Sequence, residues 1–254
     1  DRTITSNSQH GFGIFLGTYA VDSYAFATIT GNDMSNMINA DSIGIGIHSD
    51  VVNLGSATSP VTISGNSMTV NGSYGYGMWL TASDDIFATI TGNDLSNTIS
   101  GDTFAYGICL NSSDGNIGSE TIPVIISDNP MTVTSSGDDA YGIYLEANLD
   151  IFADINNNTS MNITSDSGDA YGAYLETIIG LMGNSTTSTL FQNNTGIIDG
   201  ATGRELLSLN TGNLGGGNNV DWGGLGTDPN ENDFAALAGG IAADWTGNFD
   251  ENDT

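Results

Sequence analysis

Apolar positions along this chain return in short words separated by polar turns. One word is built on glycine: Gly13-Ile-Phe-Leu16, Gly46-Ile-His-Ser49, Gly77-Met-Trp-Leu80, Gly107-Ile-Cys-Leu110, Gly142-Ile-Tyr-Leu145 and Gly172-Ala-Tyr-Leu175. Its glycines lie 33, 31, 30, 35 and 30 residues apart. A second word falls in between: Ala27-Thr-Ile-Thr-Gly-Asn32, Val61-Thr-Ile-Ser-Gly-Asn66, Ala88-Thr-Ile-Thr-Gly-Asn93, Val124-Ile-Ile-Ser-Asp-Asn129 and Ala153-Asp-Ile-Asn-Asn-Asn158. Both are rich in Ile, Val, Thr and aromatics and are bounded by Gly, Asn, Asp and Ser, the signature of short strands between turns. In Gly-Ile-x-Leu the Ile and Leu share one face, so the third position points the other way. No helical period is sustained. A fixed period of this size predicts a solenoid. Two or three strands per turn and no helix predict an all-β, parallel β-solenoid of about six coils over residues 1–198, right-handed by the usual crossover rule. Each coil buries its apolar face only by stacking on the next.

A finer pattern lies over the first. Phe26-Ala-Thr-Ile-Thr-Gly-Asn-Asp-Met-Ser-Asn36 nearly matches Phe87-Ala-Thr-Ile-Thr-Gly-Asn-Asp-Leu-Ser-Asn97, whereas Pro60-Val-Thr-Ile-Ser matches Pro123-Val-Ile-Ile-Ser. The coils therefore alternate between two types. Asn32, Asn66, Asn93, Asn129 and Asn158 recur where a strand meets a turn, a place that suits asparagine. Stacked at a rung spacing of about 4.8 Å, their amides are expected to form an internal hydrogen-bonded ladder. The outward third positions read Phe15, His48, Trp79, Cys109, Tyr144 and Tyr174, a mostly aromatic column.

The Ile-Thr-Gly-Asn and Ala-Tyr-Gly-Ile-Tyr-Leu words resemble those of the parallel β-helix repeat proteins of microbial surfaces, among them adhesins, autotransporter passengers and S-layer-associated proteins. The resemblance covers roughly residues 1–198. It implies the fold strongly and function weakly, because the words are architectural.

Net charge is −28 and there is no lysine; Arg2 and Arg204 are the only arginines. Phosphate backbones are bound by Lys and Arg, so nucleic acid is excluded as a partner. Charge of one sign opposes self-association unless cations screen it. No run is long and apolar enough to insert into a membrane. The chain opens at Asp1 close to a strand-like Thr3-Ile-Thr5, which reads as a secreted, extracellular protein whose signal peptide has been removed. Cys109 is the single cysteine, so no internal disulfide forms, and its outward slot suggests an inert surface thiol.

After about residue 198 the repeat words stop. Residues 199–254 hold a Gly/Asn stretch, Trp222, Asp228-Pro-Asn-Glu-Asn-Asp233 and an apolar run from Phe234 to Ala243. Open solenoid ends need covering, so one expectation is a cap. The other is a connector, in which Trp222, Phe234, Leu237, Ile241 and Trp245 complete the sheet edge of a neighbouring copy by strand addition.

Three chemistries are weighed. Acidic turns precede the Tyr-Gly word, and stacking them would align Asp102, Asp138 or Asp139, and Asp169; with Asp228 they make calcium the candidate cofactor, since calcium takes six to eight oxygen ligands. The aromatic column (Phe15, Trp79, Tyr144, Tyr174) suits a glycan. A polysaccharide hydrolase would need two separated carboxylates, whereas Asp84-Asp85 and Asp138-Asp139 are sequence neighbours that point apart along a strand. No catalytic residue is assigned. The expected function is structural: a subunit of an extracellular filament, sheath or surface layer that assembles head to tail with itself. A glycan-binding adhesin is the alternative, and a polysaccharide-degrading enzyme the third.

Overall fold

The computed structural model describes residues 4–5, 11–18, 24–39, 42–49, 52–211, 218–221, 232–234 and 241–246. Among them there are strands and no helix, wound into a parallel β-solenoid of about six turns. Each turn has three faces. The first carries Thr28–Thr30, Val61–Ser64, Ala88–Thr91, Val124–Ser127, Ala153–Asn156, Thr189–Gln192 and Val220–Asp221, hydrogen-bonded in that order as one seven-stranded sheet. A larger sheet forms the other two faces. Ser67–Ala82 and Leu95–Ser112 run across both, while later turns split them into Met131–Ser135 and Ala140–Ala147, then Met161–Ser165 and Asp169–Thr177. A corner column of single parallel bridges, Ala25, Leu54, Ile86, Ile117, Ile151 and Met182, closes the cross-section.

The register turns sequence words into columns of like residues. Ile29, Ile63, Ile90, Ile126, Ile155 and Phe191 stack on the first face, and all six are buried. On the second face Met68, Leu95, Met131 and Met161 do the same, followed two residues on by Val70, Ile99 (after a bulge), Val133 and Ile163. Met fills such irregular interior space readily. One contiguous core runs from Ala25 to Val220.

The third face contains the bend that shapes the outer surface. Inward positions run Ala140, Ile143, Leu145, Ala147, a strict alternation except for one skipped residue at Gly142. The skip allows Tyr141 and Tyr144, three residues apart, to face outward together. A Cβ on Gly142 would lie 2.6 Å from the Gly172 carbonyl oxygen and 3.0 Å from Ile163 Cδ1. Gly44, Gly77, Gly107 and Gly172 meet the same obstacle, each 2.5–2.6 Å from the carbonyl oxygen one rung on. The column corrects the second repeat word. Phe15 pairs with Gly46 and Ile14 with Ile45, so the glycine at the bend is Gly44 and the word reads Gly44-Ile-Gly-Ile47. His48 pairs with Thr81 and therefore leaves the third-position column, in which Gly46 takes its place.

The two coil types differ at the corner. In one, Ile86 or Ile151 passes directly through Phe87 or Phe152 to the first face. In the other, a small antiparallel turn is inserted, Ser56 with Ser59 and Ser119 with Ile122. Gly55 and Gly118 open these turns with φ of +71° and +74°, backs against the Phe87 and Phe152 carbonyls. That conformation favours glycine.

The asparagine ladder is present and longer than the words indicate. Asn66 accepts through Oδ1 from both the backbone N (3.0 Å) and the Nδ2 (2.8 Å) of Asn32, and Asn93, Asn129 and Asn158 repeat the pattern. Each Nδ2 also donates backwards to a first-face carbonyl, as Asn129 does to Ile90 O at 3.1 Å. Asn194 and Asn232 extend the ladder by two rungs, although neither stands in an Ile-x-Gly-Asn word. Nor do the sheets break at residue 198: Gly203–Thr211 pairs with Asp169–Thr177, and Ile241–Thr246 pairs with Gly203–Thr211.

Two substitutions test this account. Asn129→Ala strands the Asn93 N–H and the Ile90 carbonyl in a dry interior and is expected to cost about 2–4 kcal/mol in urea unfolding, whereas Asn32→Ala, at the end of the ladder, costs much less. Gly107→Ala drives a methyl into the Gly142 carbonyl at 2.5 Å and is expected to cost about 1–3 kcal/mol. Gly92→Ala has open space around its Cβ and only its φ of +64° to contend with, about 1–2 kcal/mol.

Candidate functional site

The bend at each glycine presents two outward columns on the third face. One reads Ile43, Tyr76, Tyr106, Tyr141, Tyr171 and Glu205, and the other Gly46, Trp79, Cys109, Tyr144, Tyr174 and Ser208. In the first, four phenol rings stack with centroids 4.8, 4.9 and 4.8 Å apart and planes within 5°. In the second, Tyr144 and Tyr174 stack at 5.3 Å. The columns meet edge to face, Tyr141 to Tyr144 at 5.3 Å and 82°, and Trp79 joins through Tyr76 at 5.9 Å. Ring spacing follows rung spacing, so strand register alone suffices to stack identical side chains.

The hydroxyls of the later rungs are paired with acids two residues away on the same strand. Tyr141 donates to Asp139 Oδ2 at 2.9 Å and Tyr144 to Glu146 Oε2 at 2.9 Å. One rung on, Tyr171 donates to Asp169 at 3.2 Å and Tyr174 to Glu176 at 3.4 Å. Burial, and then the neighbouring carboxylates, push the Tyr141, Tyr144 and Tyr171 hydroxyls far above the ordinary phenol range. Burial does the same for Tyr76 and Tyr106. Glu176 is raised by burial and by Glu146 stacked beside it. Asn210 Nδ2 steadies it with a 3.0 Å hydrogen bond.

A comparison with family models, with curated proteins and with solved structures finds no match. The reading of this face therefore stands on its own geometry.

That geometry corrects the expectation for Cys109. Its slot does face outward, but it lies between Trp79 and Tyr144 in the column and is only 5% exposed. Burial drives its thiol well above the usual range, so it is a covered, un-ionised group and not a surface thiol. Phe15 lies in the same column, separated from Trp79 by Gly46, and packs on Phe12 at 4.6 Å.

The acidic turns align only in part. Ser135 Oγ donates to Thr103 O, and its register partner Ser165 donates to Asp138 O. Asp138 thus follows Thr103, not Asp102. Asp139 and Asp169 do share a column, and their oxygens are engaged: Asp139 Oδ1 accepts the Asp169 N–H at 2.8 Å, and Asp169 Oδ1 accepts from Thr202. Among the described residues no three acidic, His or Cys side chains cluster closely enough to hold a metal ion. Asp228, Trp222 and Leu237 lie outside the described residues. Phe234, Ile241 and Trp245 fall in strands that pair within their own chain, opposite Gly196, Glu205 and Leu209.

A second corner ladder was not foreseen. Asn53, Asp85, Asn116 and Asp150 each accept, through a side-chain oxygen, the backbone N–H one rung on, at 2.7, 2.8, 3.0 and 2.7 Å. Alternation of amide and acid hid it from a search for identical residues. The paired tyrosines were half visible: the second of each Tyr-Gly-x-Tyr stood in the outward column, while the first reaches that face only through the glycine bend.

The raised phenols have a pH signature. Unfolded tyrosines ionise near pH 10, while the native ones hold their protons. Folding stability is therefore intact below about pH 10 and declines as pH rises beyond it. Denaturant unfolding at stepped pH, followed with phenolate absorbance, is expected to show five or more tyrosines ionising together with loss of the fold rather than before it.

Proposed function

We propose that this chain is a structural subunit of an extracellular filament, sheath or surface layer, built head to tail from copies of itself. The observation that carries the reading is the like polarity of the two outermost described strands of the first-face sheet. The first-face sheet begins at Thr28–Thr30 and finishes at Val220–Asp221, each with one strand neighbour among the described residues. Because every rung is parallel and in register, the trailing edge of one rod has the polarity that the leading edge of the next would take up. Ladders supply direction as well. Asn32 donates forward to Asn66, and its own Oδ1 occupies the place that accepts two hydrogen bonds in the next six rungs. A contact of this kind is heterologous and does not close, which is the condition for a filament.

The C-terminal residues contribute by continuing the rod, so that Asp233–Phe234 and Ile241–Thr246 provide the edge offered to a neighbour. Strand addition would supply backbone hydrogen bonds across the joint. The charge of −28 makes assembly dependent on salt or divalent cations. Glycan binding along the aromatic column finds less support. A sugar stacks on a ring face, and the faces of Tyr106 and Tyr141 are already covered by neighbouring tyrosines.

Negative-stain electron microscopy of the purified chain in low salt, high salt, calcium and chelator tests the proposal. Filaments that lengthen with ionic strength are expected, and deletion of residues 220–254 should leave short rods. Dissolution by chelator alone would add calcium to the joint. Isolated rods in every buffer would overturn the reading.

A further inference from the structure

The third face gathers the oxidisable side chains of this protein. Six of its nine tyrosines (Tyr76, Tyr106, Tyr141, Tyr144, Tyr171 and Tyr174), its single cysteine and Trp79 lie in the two adjoining columns. The rings form one unbroken path. From Trp79 the steps are 5.9 Å to Tyr76, 4.8 Å to Tyr106, 4.9 Å to Tyr141 and 4.8 Å to Tyr171, with a branch of 5.3 Å from Tyr141 to Tyr144 and 5.3 Å more to Tyr174. Packing alone does not account for the chemistry of that path. Phenylalanine stacks as well as tyrosine and brings no hydroxyl to satisfy beside a carboxylate.

The hydroxyls are not treated alike along the rod. Those of Tyr76 and Tyr106 donate to no protein acceptor among the described residues. Those of Tyr141, Tyr144, Tyr171 and Tyr174 each donate to a carboxylate, of Asp139, Glu146, Asp169 and Glu176. A phenol that loses an electron becomes a strong acid and must release its proton. Where a carboxylate already holds the O–H, the proton has only to cross that hydrogen bond, and the oxidised ring is left as a neutral radical. The later rungs are therefore the ones that can hold a radical, whereas Tyr76 and Tyr106, with no acceptor for their protons, stay reduced and serve as the stacked bridge.

We propose that this face is a relay for one-electron oxidising equivalents, taken up at Trp79 and passed in a single electron-transfer step across the stacked rings of Tyr76 and Tyr106 to a resting place on the carboxylate-paired tyrosines. A diffusible one-electron oxidant, such as a small inorganic radical, removes one electron from the Trp79 indole and is itself reduced by one. An electron from Tyr141 or Tyr144 fills that vacancy across the stack, and neither Tyr76 nor Tyr106 is oxidised on the way. At the terminus the phenol gives up one electron and transfers its proton to the paired carboxylate, so that tyrosine and carboxylate become tyrosyl radical and carboxylic acid. No atom leaves the protein. The inference is independent of filament formation, since every step lies within one chain.

Pulse radiolysis with the azide radical tests it on the full chain. The indolyl and phenoxyl radicals differ in absorption, so conversion of one to the other is followed directly. A fast phase of conversion is expected, first order and independent of protein concentration. It should be lost in Trp79→Phe, which leaves Trp222 and Trp245 in place, and kept in Tyr76→Phe/Tyr106→Phe, which preserves the stacked bridge and removes only hydroxyls that take no part. Asp139→Asn/Glu146→Gln should retain the conversion but move the trapped radical, read by electron paramagnetic resonance of selectively deuterated tyrosine, toward Tyr171 and Tyr174. Circular dichroism and thermal melting identify any variant that has lost the fold, and Tyr24→Phe, outside the two columns, serves as the folded control. A fast phase that survives Trp79→Phe, that is lost in a folded Tyr76→Phe/Tyr106→Phe, or that scales with concentration, would overturn the relay. So would a radical spread evenly over all the tyrosines.

Discussion

The molecule depends on in-register parallel stacking, and the buried asparagine ladder holds that register. Asn66, Asn93, Asn129, Asn158, Asn194 and Asn232 are essentially inaccessible to solvent. Asn66, Asn93, Asn129, Asn158 and Asn194 each bond to a neighbouring coil on either side, forward to an amide and backward to a first-face carbonyl, and Asn232 accepts from Asn194 and donates back to Phe191 O. A slip by one residue would replace the amides of Asn66, Asn93 and Asn129 with a flanking glycine, serine, aspartate or proline and strand several buried polar groups at once, each costing about 1–3 kcal/mol. Hydrophobic stacking would tolerate many registers, because one Ile column is much like another. The ladder tolerates one.

From that fixed register the glycine bend follows. With strands stacked at a set spacing, the carbonyl of the next rung comes within 2.6 Å of where a Cβ would sit on Gly44, Gly77, Gly107, Gly142 and Gly172. Leu206 ends this column, its carbonyl serving as the obstacle for Gly172. The bend turns two residues outward that strict alternation would have separated, and so brings Tyr141 beside Tyr144 and Tyr171 beside Tyr174. The tyrosine face is thus a consequence of backbone geometry first and of side-chain choice second.

What could be read from the words was the part that repeats. The faces, the two coil types and the first five asparagines all rest on recurring residues. Where repetition is chemical rather than literal, the sequence was opaque. Asn53–Asp85–Asn116–Asp150 is one ladder written in two residue types. Thr177 and Thr211 stand where Ala147 and Ser112 stand in earlier coils, hydrogen-bonding to each other and to the Gly180 carbonyl. Asn194 and Asn232 continue the main ladder with Phe191 and Pro229 where the first five have an isoleucine three residues before the asparagine. Gly44 and Gly46 both precede an isoleucine, and only the position of the backbone obstacle separates them.

Register also sets a problem that the outer surface has to solve. Any charge on one rung meets its counterpart about 4.8 Å away on the next, and at net −28 a column of carboxylates would repel along its whole length. The corner ladder avoids this by alternation, with the Asn116 Nδ2 donating to Asp85 Oδ1 at 2.8 Å. Asn111, Glu146, Glu176 and Asn210 form a column with amides at both ends of an acidic pair. Asp139 and Asp169 make the other adjacent acids of this face. These two like-charged pairs are held by the four tyrosine hydroxyls, together with the Asp169 N–H on Asp139, Thr202 on Asp169 and Asn210 Nδ2 on Glu176. The chain thus places carboxylates in direct succession where a phenol stands ready to donate to each. Such an arrangement suits a face on which protons are meant to move.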